Sequence, residues 1–170
     1  MSDATADAAR RLARLQRDFD QAFAVPHRDE AEDVESLLAI RLQEDPYGLS
    51  TREIAAVERA GSVVPLPSRS QGLIGIVGHR GAILPVYGLA SLLGYERSRK
   101  APRWLVVCGE GGALALAVSE LEGYVQVAKG NFHVPDRDPR KHVHRFARVG
   151  ETVRAIISVP SIVAAIQGGN

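Results

Sequence analysis

The segment Gly72–Tyr95, GLIGIVGHRGAILPVYGLASLLGY, constrains the fold of this chain more than any other. Leu73-Ile74 and Ile76-Val77 make an apolar, largely β-branched run of the kind a buried or half-buried strand requires. Gly78-His79-Arg80-Gly81 interrupts the run, and Ala82-Ile83-Leu84 resumes it. Glycine at both ends of the interruption allows positive φ, so the pattern predicts a hairpin with Gly78 and Gly81 as structural turn residues and His79 and Arg80 displayed at its tip. An arginine held at the tip of a core-anchored hairpin reads as a contact residue, because functional side chains concentrate on loops carried by a rigid scaffold. The alternative is an ordinary solvated turn.

The rest of the chain repeats this grammar of short strands and tight turns. Leu38, Ile40 and Leu42 alternate with Ala39 and Arg41 as in a half-buried strand, and Asp45-Pro46-Tyr47-Gly48 is turn chemistry. Periodicity alone would make Thr51–Arg59 a helix, since Ile54 and Val57 fall on one helical face with alanines between them. Val63–Pro67 is extended, because two prolines exclude a central strand. Trp104–Cys108 and Ala113–Val118 are apolar runs joined by Gly109-Glu110-Gly111-Gly112, a hairpin signature, and Leu121–Ala128 adds a strand. Asn131–His144 is a polar loop; Phe146, Val149 and Val153–Ile157 form a last hairpin around Gly150; Pro160–Ile166 is a short amphipathic helix. Many short strands with glycine turns predict a mainly β fold of small closed barrels rather than a parallel α/β sheet.

The long helix falls outside this region. Ala8, Leu12, Leu15 and Phe19 recur at spacings of three and four between Asp3 and Ala24, Pro26 ends the pattern, and an acidic stretch follows. Residues 1–34 are therefore expected to be an N-terminal amphipathic helix and acidic linker, and residues 35–168 the β domain. The narrow apolar stripe either docks on its own domain or makes a coiled-coil, self-association or partner contact. The residues leave both open.

Composition excludes several classes of function. A net charge of +1 provides no field for nucleic acid or an anionic membrane surface. Cys108 is the single cysteine, which rules out an internal disulfide and suits a reducing compartment. The first thirty residues lack the apolar core of a signal peptide, and no apolar run approaches the roughly twenty residues of a membrane span, so a cytoplasmic protein without direct membrane insertion is expected. The glycines at 75, 78 and 81 are not followed by a Lys-Ser/Thr pair or a helix start, as a phosphate loop requires. His133, His142 and His144 lack the close spacing and fourth donor of a metal site, and Cys108 ends an apolar strand as a small buried hydrophobe would. No catalytic set, metal or cofactor is expected. A barrel domain without a reactive cluster reads as a binding module, whose sheet edges and grooves accept a strand or helix from another protein.

Gly78-His79-Arg80-Gly81 with Ala82-Ile83-Leu84-Pro85-Val86-Tyr87-Gly88-Leu89 resembles the signature of the CheW-like chemotaxis coupling family: strand, Asn-Leu-Arg-Gly, then an apolar strand ending Pro-φ-Val-Asp-Leu. Leu37–Val57 is similar to that family's opening strand, Tyr-Gly turn and kinase-facing second strand, and Trp104–Val127 and Ala155–Ile166 to its later strands and closing helix. The resemblance implies two packed SH3-like barrels with an apolar groove between them, Thr51–Arg59 as a short helical turn leading into a strand, and no enzymatic activity. It implies a cytoplasmic adaptor that joins the cytoplasmic tip of a chemoreceptor to the regulatory domain of a CheA-type histidine kinase. Arg80, with His79 and Val77, falls on the receptor side. Ile54, Val57, Ala56 and Gly75 fall on the kinase side. The chain departs from the pattern where Ala56 replaces an acidic residue, Gly78 an Asn, His79 a Leu and Gly88 an Asp. These departures admit a diverged homologue that binds one partner only, as an inhibitor or array spacer. A small-ligand-binding barrel or an enzyme is the alternative from another class.

Overall fold

The strands WLVVC and LALAV have no polar face, and such a strand must be covered on both sides. The computed structural model, which describes residues 34–68, 70–96, 101–136 and 140–168, puts them at the centre of the second of two sheets. The expected helix over residues 3–24 and its linker lie outside the described residues.

The first sheet contains Val34–Leu42 (β1), Asp45–Ser50 (β2), Glu120–Ala128 (β8), Phe132–His133 (β9), Val143–Val149 (β10) and Thr152–Ile157 (β11), in the order β8-β1-β2-β11-β10-β9. The second contains Ile54–Arg59 (β3), Leu73–His79 (β4), Ala82–Gly88 (β5), Trp104–Cys108 (β6) and Leu114–Val118 (β7), in the order β3-β6-β7-β5-β4. Read across from β8 and from β3, both sheets pair antiparallel, antiparallel, parallel, antiparallel, and the first adds a fifth, antiparallel pairing of β10 with β9. A short helix, Leu89–Leu92 (α1), follows β5, and a longer one, Val159–Gly168 (α2), follows β11. The fold is mainly β. Thr51–Glu53 is a 3-10 turn running into β3, so helical periodicity misreads this segment: Ile54 and Val57 share a face because a bulge shifts the register between Ile54 and Ala56.

Among the described residues neither sheet closes by a ladder, so the closed barrels that the resemblance implies are here two open sheets. After β8 a 3-10 turn over Lys129–Asn131 leads to β9, which pairs with β10 through two residues. After β3 the chain returns to β4 through one bridge, Val64 to Ile76, with N–H···O=C distances of 2.9 Å each way. Gly75 permits this approach: a Cβ there would stand 2.2 Å from the Val64 carbonyl oxygen.

Alternation along the strands divides the apolar side chains among three clusters. Val77, Leu84, Val86, Leu105, Val107, Ala115 and Ala117 fill the second sheet, and Leu37, Val127, Ala147 and Ile156 the first. The largest cluster lies between the sheets, where Leu38, Ile40 and Leu49 meet Val106, Cys108, Leu116 and Val118. Most of the space that the resemblance leaves as a groove is therefore packed core. Across it Tyr95 is hydrogen-bonded to Tyr47 (O···O 2.8 Å) and donates to the Asp45 carboxylate. In the first sheet Arg154, 8% exposed, is paired with Glu122 at 2.5 Å, and Glu122 also accepts from Arg41.

Candidate interaction surface

The β4–β5 hairpin turns one residue later than the glycine spacing predicts. His79 pairs with Ala82, so the loop is Arg80-Gly81, with φ of 48° and 81°. Positive φ at both central residues is the turn whose twist matches the flanking strands. Gly78 is accordingly not a turn residue: it lies in β4 opposite Ile83. Arg80 stands exposed at the tip in the left-handed region, which a non-glycine residue occupies at a cost of about 1–2 kcal/mol.

The other residues assigned to the receptor side lie elsewhere. Val77 is 7% exposed and belongs to the core of the second sheet. His79 is half-buried, its Nδ1 3.1 Å from Glu58 on β3. The residues assigned to the kinase side share one end strand and its neighbourhood without forming a free surface. Ile54 and Val57 are half-buried against the core between the sheets, Ala56 packs on the inner core, and Gly75 is buried beneath Val64. Ala55 and Arg59 are the exposed residues of β3, and Arg59 lies 4.9 Å over the Trp104 ring.

The sequence reading missed a groove. Beside the core between the sheets, Pro85 and Tyr87 of β5, Leu114 of β7, and Val159, Val163 and Ile166 of α2 line a depression of about 830 Å³. Alternation along β5 continues its floor outward to Ile83, which is 73% exposed and precedes the tip. Period-two reading from Leu84 and Val86 inward would have placed Ile83 and Pro85 here, once the turn was fixed at Arg80-Gly81. One wall is pinned: Ser158 Oγ accepts the Ser161 N–H (3.2 Å), and Glu53 accepts the Val159 N–H (3.0 Å), fixing the start of α2. The surface has a charged tip, an apolar floor and a rigid helical wall, which suits a protein segment with an apolar stripe.

Titratable groups near it are poorly placed for chemistry. Burial, with the nearby Glu53 charge, pushes the Cys108 thiol up to about 12, far from a thiolate at neutral pH. Burial and the Lys141 charge hold His142 below the ordinary histidine value, and its Nδ1 is 2.9 Å from Ser161 Oγ. Burial and Arg145 do the same to His144. Among the described residues no group of three His, Cys, Asp or Glu could hold a metal, and no helix is long and apolar enough to cross a membrane.

Protein FrzA of Myxococcus xanthus is 31% identical over 99 residues, 58% of this chain and 59% of its own length. The chain thus matches under two thirds of that relative. The crystal structure of the scaffolding protein TtCheW from Thermoanaerobacter tengcongensis superimposes with a TM-score of 0.66 at 20% identity, covering 74% of this chain and 89% of that one. The two share a fold. The model of the CheW-like domain matches residues 36–167, nearly the whole described region, and the chain belongs to that family.

Proposed function

We propose that this protein is a non-enzymatic adaptor in chemotaxis-type signal transduction, joining the cytoplasmic tip of a chemoreceptor to the regulatory domain of a CheA-type histidine kinase. The observation that carries the reading is the tip of the β4–β5 hairpin. An exposed arginine is held there at positive φ, at the turn that leads into β5, whose Pro85 and Tyr87 line the groove. Strained non-glycine positions persist where function requires the side chain to be aimed. The receptor's helical tip would lay its apolar stripe in the groove and meet Arg80 at the end. The kinase would contact the end strand β3. Membership of the CheW-like family, whose fold TtCheW, described as a scaffolding protein, shares, supports an assembly role.

A second reading, a homologue that binds one partner only, is favoured by β3 itself. Ile54 and Val57 spend much of their surface on the core and Ala56 has no carboxylate, which leaves little for a kinase to hold. Calorimetry separates the two. The purified chain is titrated with a receptor-tip fragment and a kinase regulatory domain, singly and together. Simultaneous binding, with Arg80→Ala losing the receptor side and Ala55→Glu the kinase side, supports the coupler. Binding to one partner supports the second reading, and binding to neither refutes both. Each single affinity should be modest and rise in multivalent assemblies.

A further inference from the structure

His79 occupies a position that the resemblance gives to a receptor contact, but its surroundings assign it other work. In β4, Val77 faces the inner core, and His79 two residues on faces the same way at the rim. In β3, Ala56 packs on that core, and Glu58 two residues on also faces it. The two rim side chains meet, with His79 Nδ1 3.2 and 3.1 Å from the two oxygens of Glu58. A carboxylate accepts and does not donate, so Nδ1 carries the proton and shares it between both oxygens. The His79 side chain is left 12% exposed.

This contact joins the two end strands of the second sheet where the backbone does not. Among the described residues no ladder connects β3 to β4, and the bridge Val64–Ile76 joins β4 only to the segment after β3. On the other flank the β5–β7 ladder begins only at Val86. Residues 78–83, with Arg80 at positive φ, therefore extend past the β5–β7 ladder and the Val64–Ile76 bridge, and among the described residues the ring of His79 ties them to β3.

We propose that His79 is a positioning residue, which clamps the β4–β5 turn to β3 through Glu58 and so fixes the direction in which Arg80 meets its partner. This rests on the reading of Arg80 as the receptor contact. The clamp also gives the tip and β3 a common rigid frame, although the two would serve different partners.

The test measures binding of the full chain to a receptor-tip fragment, together with hydrogen exchange at the Arg80 and Gly81 amides. His79→Ala and Glu58→Ala should each weaken binding about three- to tenfold, as expected for one lost hydrogen bond of ordinary strength. Glu58→Gln should bind nearly as the parent does, because the amide oxygen still accepts. In an Arg80→Ala background, His79→Ala should weaken binding no further. A loss that persists in that background, or that appears with His79→Ala but not with Glu58→Ala, overturns the proposal, since His79 would then act by general loosening or by touching the partner itself. If Arg80→Ala binds like the parent, the receptor reading fails instead. The clamp is then judged by exchange alone: His79→Ala and Glu58→Ala should both speed it at Arg80 and Gly81, and unchanged exchange overturns the clamp.

Discussion

Arg80 and Gly75 are each shaped by the backbone next to them, with opposite consequences for substitution. Arg80 holds a left-handed conformation that glycine adopts freely. Arg80→Gly should therefore stabilise the fold by about 1 kcal/mol while removing the proposed receptor contact. A urea midpoint that rises as receptor binding disappears is the expected pair of results, and a fall in the midpoint would show that the arginine holds the turn together. At Gly75 the added methyl of Gly75→Ala would meet the Val64 carbonyl at 2.2 Å. It should push the returning chain off β4 and cost about 1–3 kcal/mol, read from the same midpoint, whether or not a partner is present. An effect of Gly75 variants on kinase binding is thus expected to follow from lost fold. The sequence showed a hairpin with Arg80 at its tip, but two candidate glycines left the register open. A slip of one residue reverses every side chain, which is why His79 was read as displayed and lies at the rim instead.

Among the elements, the strands with no polar face were legible and those sharing two environments were not. LALAV allows nothing but burial on both sides. IAAVER has alanines that fit a helix or a strand, and its bulge, set by pairing with β6, decides the outcome. The floor and wall of the groove were illegible because they come from β5, β7 and α2, far apart in sequence. The junction of β10 with α2 should confer a pH response. His142 and His144 are held below 6.5 by burial and by neighbouring cations, so the fold favours their neutral forms. Their protonation then favours unfolding: stability is complete above about pH 6.5 and falls as pH drops toward their depressed values. Burial alone would raise Glu35 and Glu122, but hydrogen bonds from Arg145 and Ser50, and from Arg41 and Arg154, outweigh it and hold both below 4.5. Their contribution is present above that pH and is lost as pH falls through their lowered values. The urea midpoint should accordingly decline in two stages below pH 6.5. A variant with His142→Gln and His144→Gln should lose the first stage, and an unchanged first stage would place its origin elsewhere.

On the scale of the molecule, the residues foretold a mainly β protein, and the CheW-like resemblance implied its two parts and their order along the chain. What they withheld is which strands belong to which sheet, because pairing depends on contacts between segments tens of residues apart. The largest core lies between the sheets, with contributions from both. The shared pattern of pairing directions has a consequence for how the chain is divided. By their places in that pattern, β1 to β5 and the series β6, β7, β8, β10, β11 are two passes through one five-strand motif. The passes have traded strands: the first sheet takes β1 and β2 from one pass and β8, β10 and β11 from the other, and the second sheet takes the remainder. A cut between residues 96 and 101 should thus yield two fragments, neither able to complete a sheet. Mixed, they should recover a cooperative melt and elute together; fragments that fold separately would refute the exchange. Any partner that grips one sheet then grips both passes of the chain, so a load applied at either face is borne by the whole polypeptide.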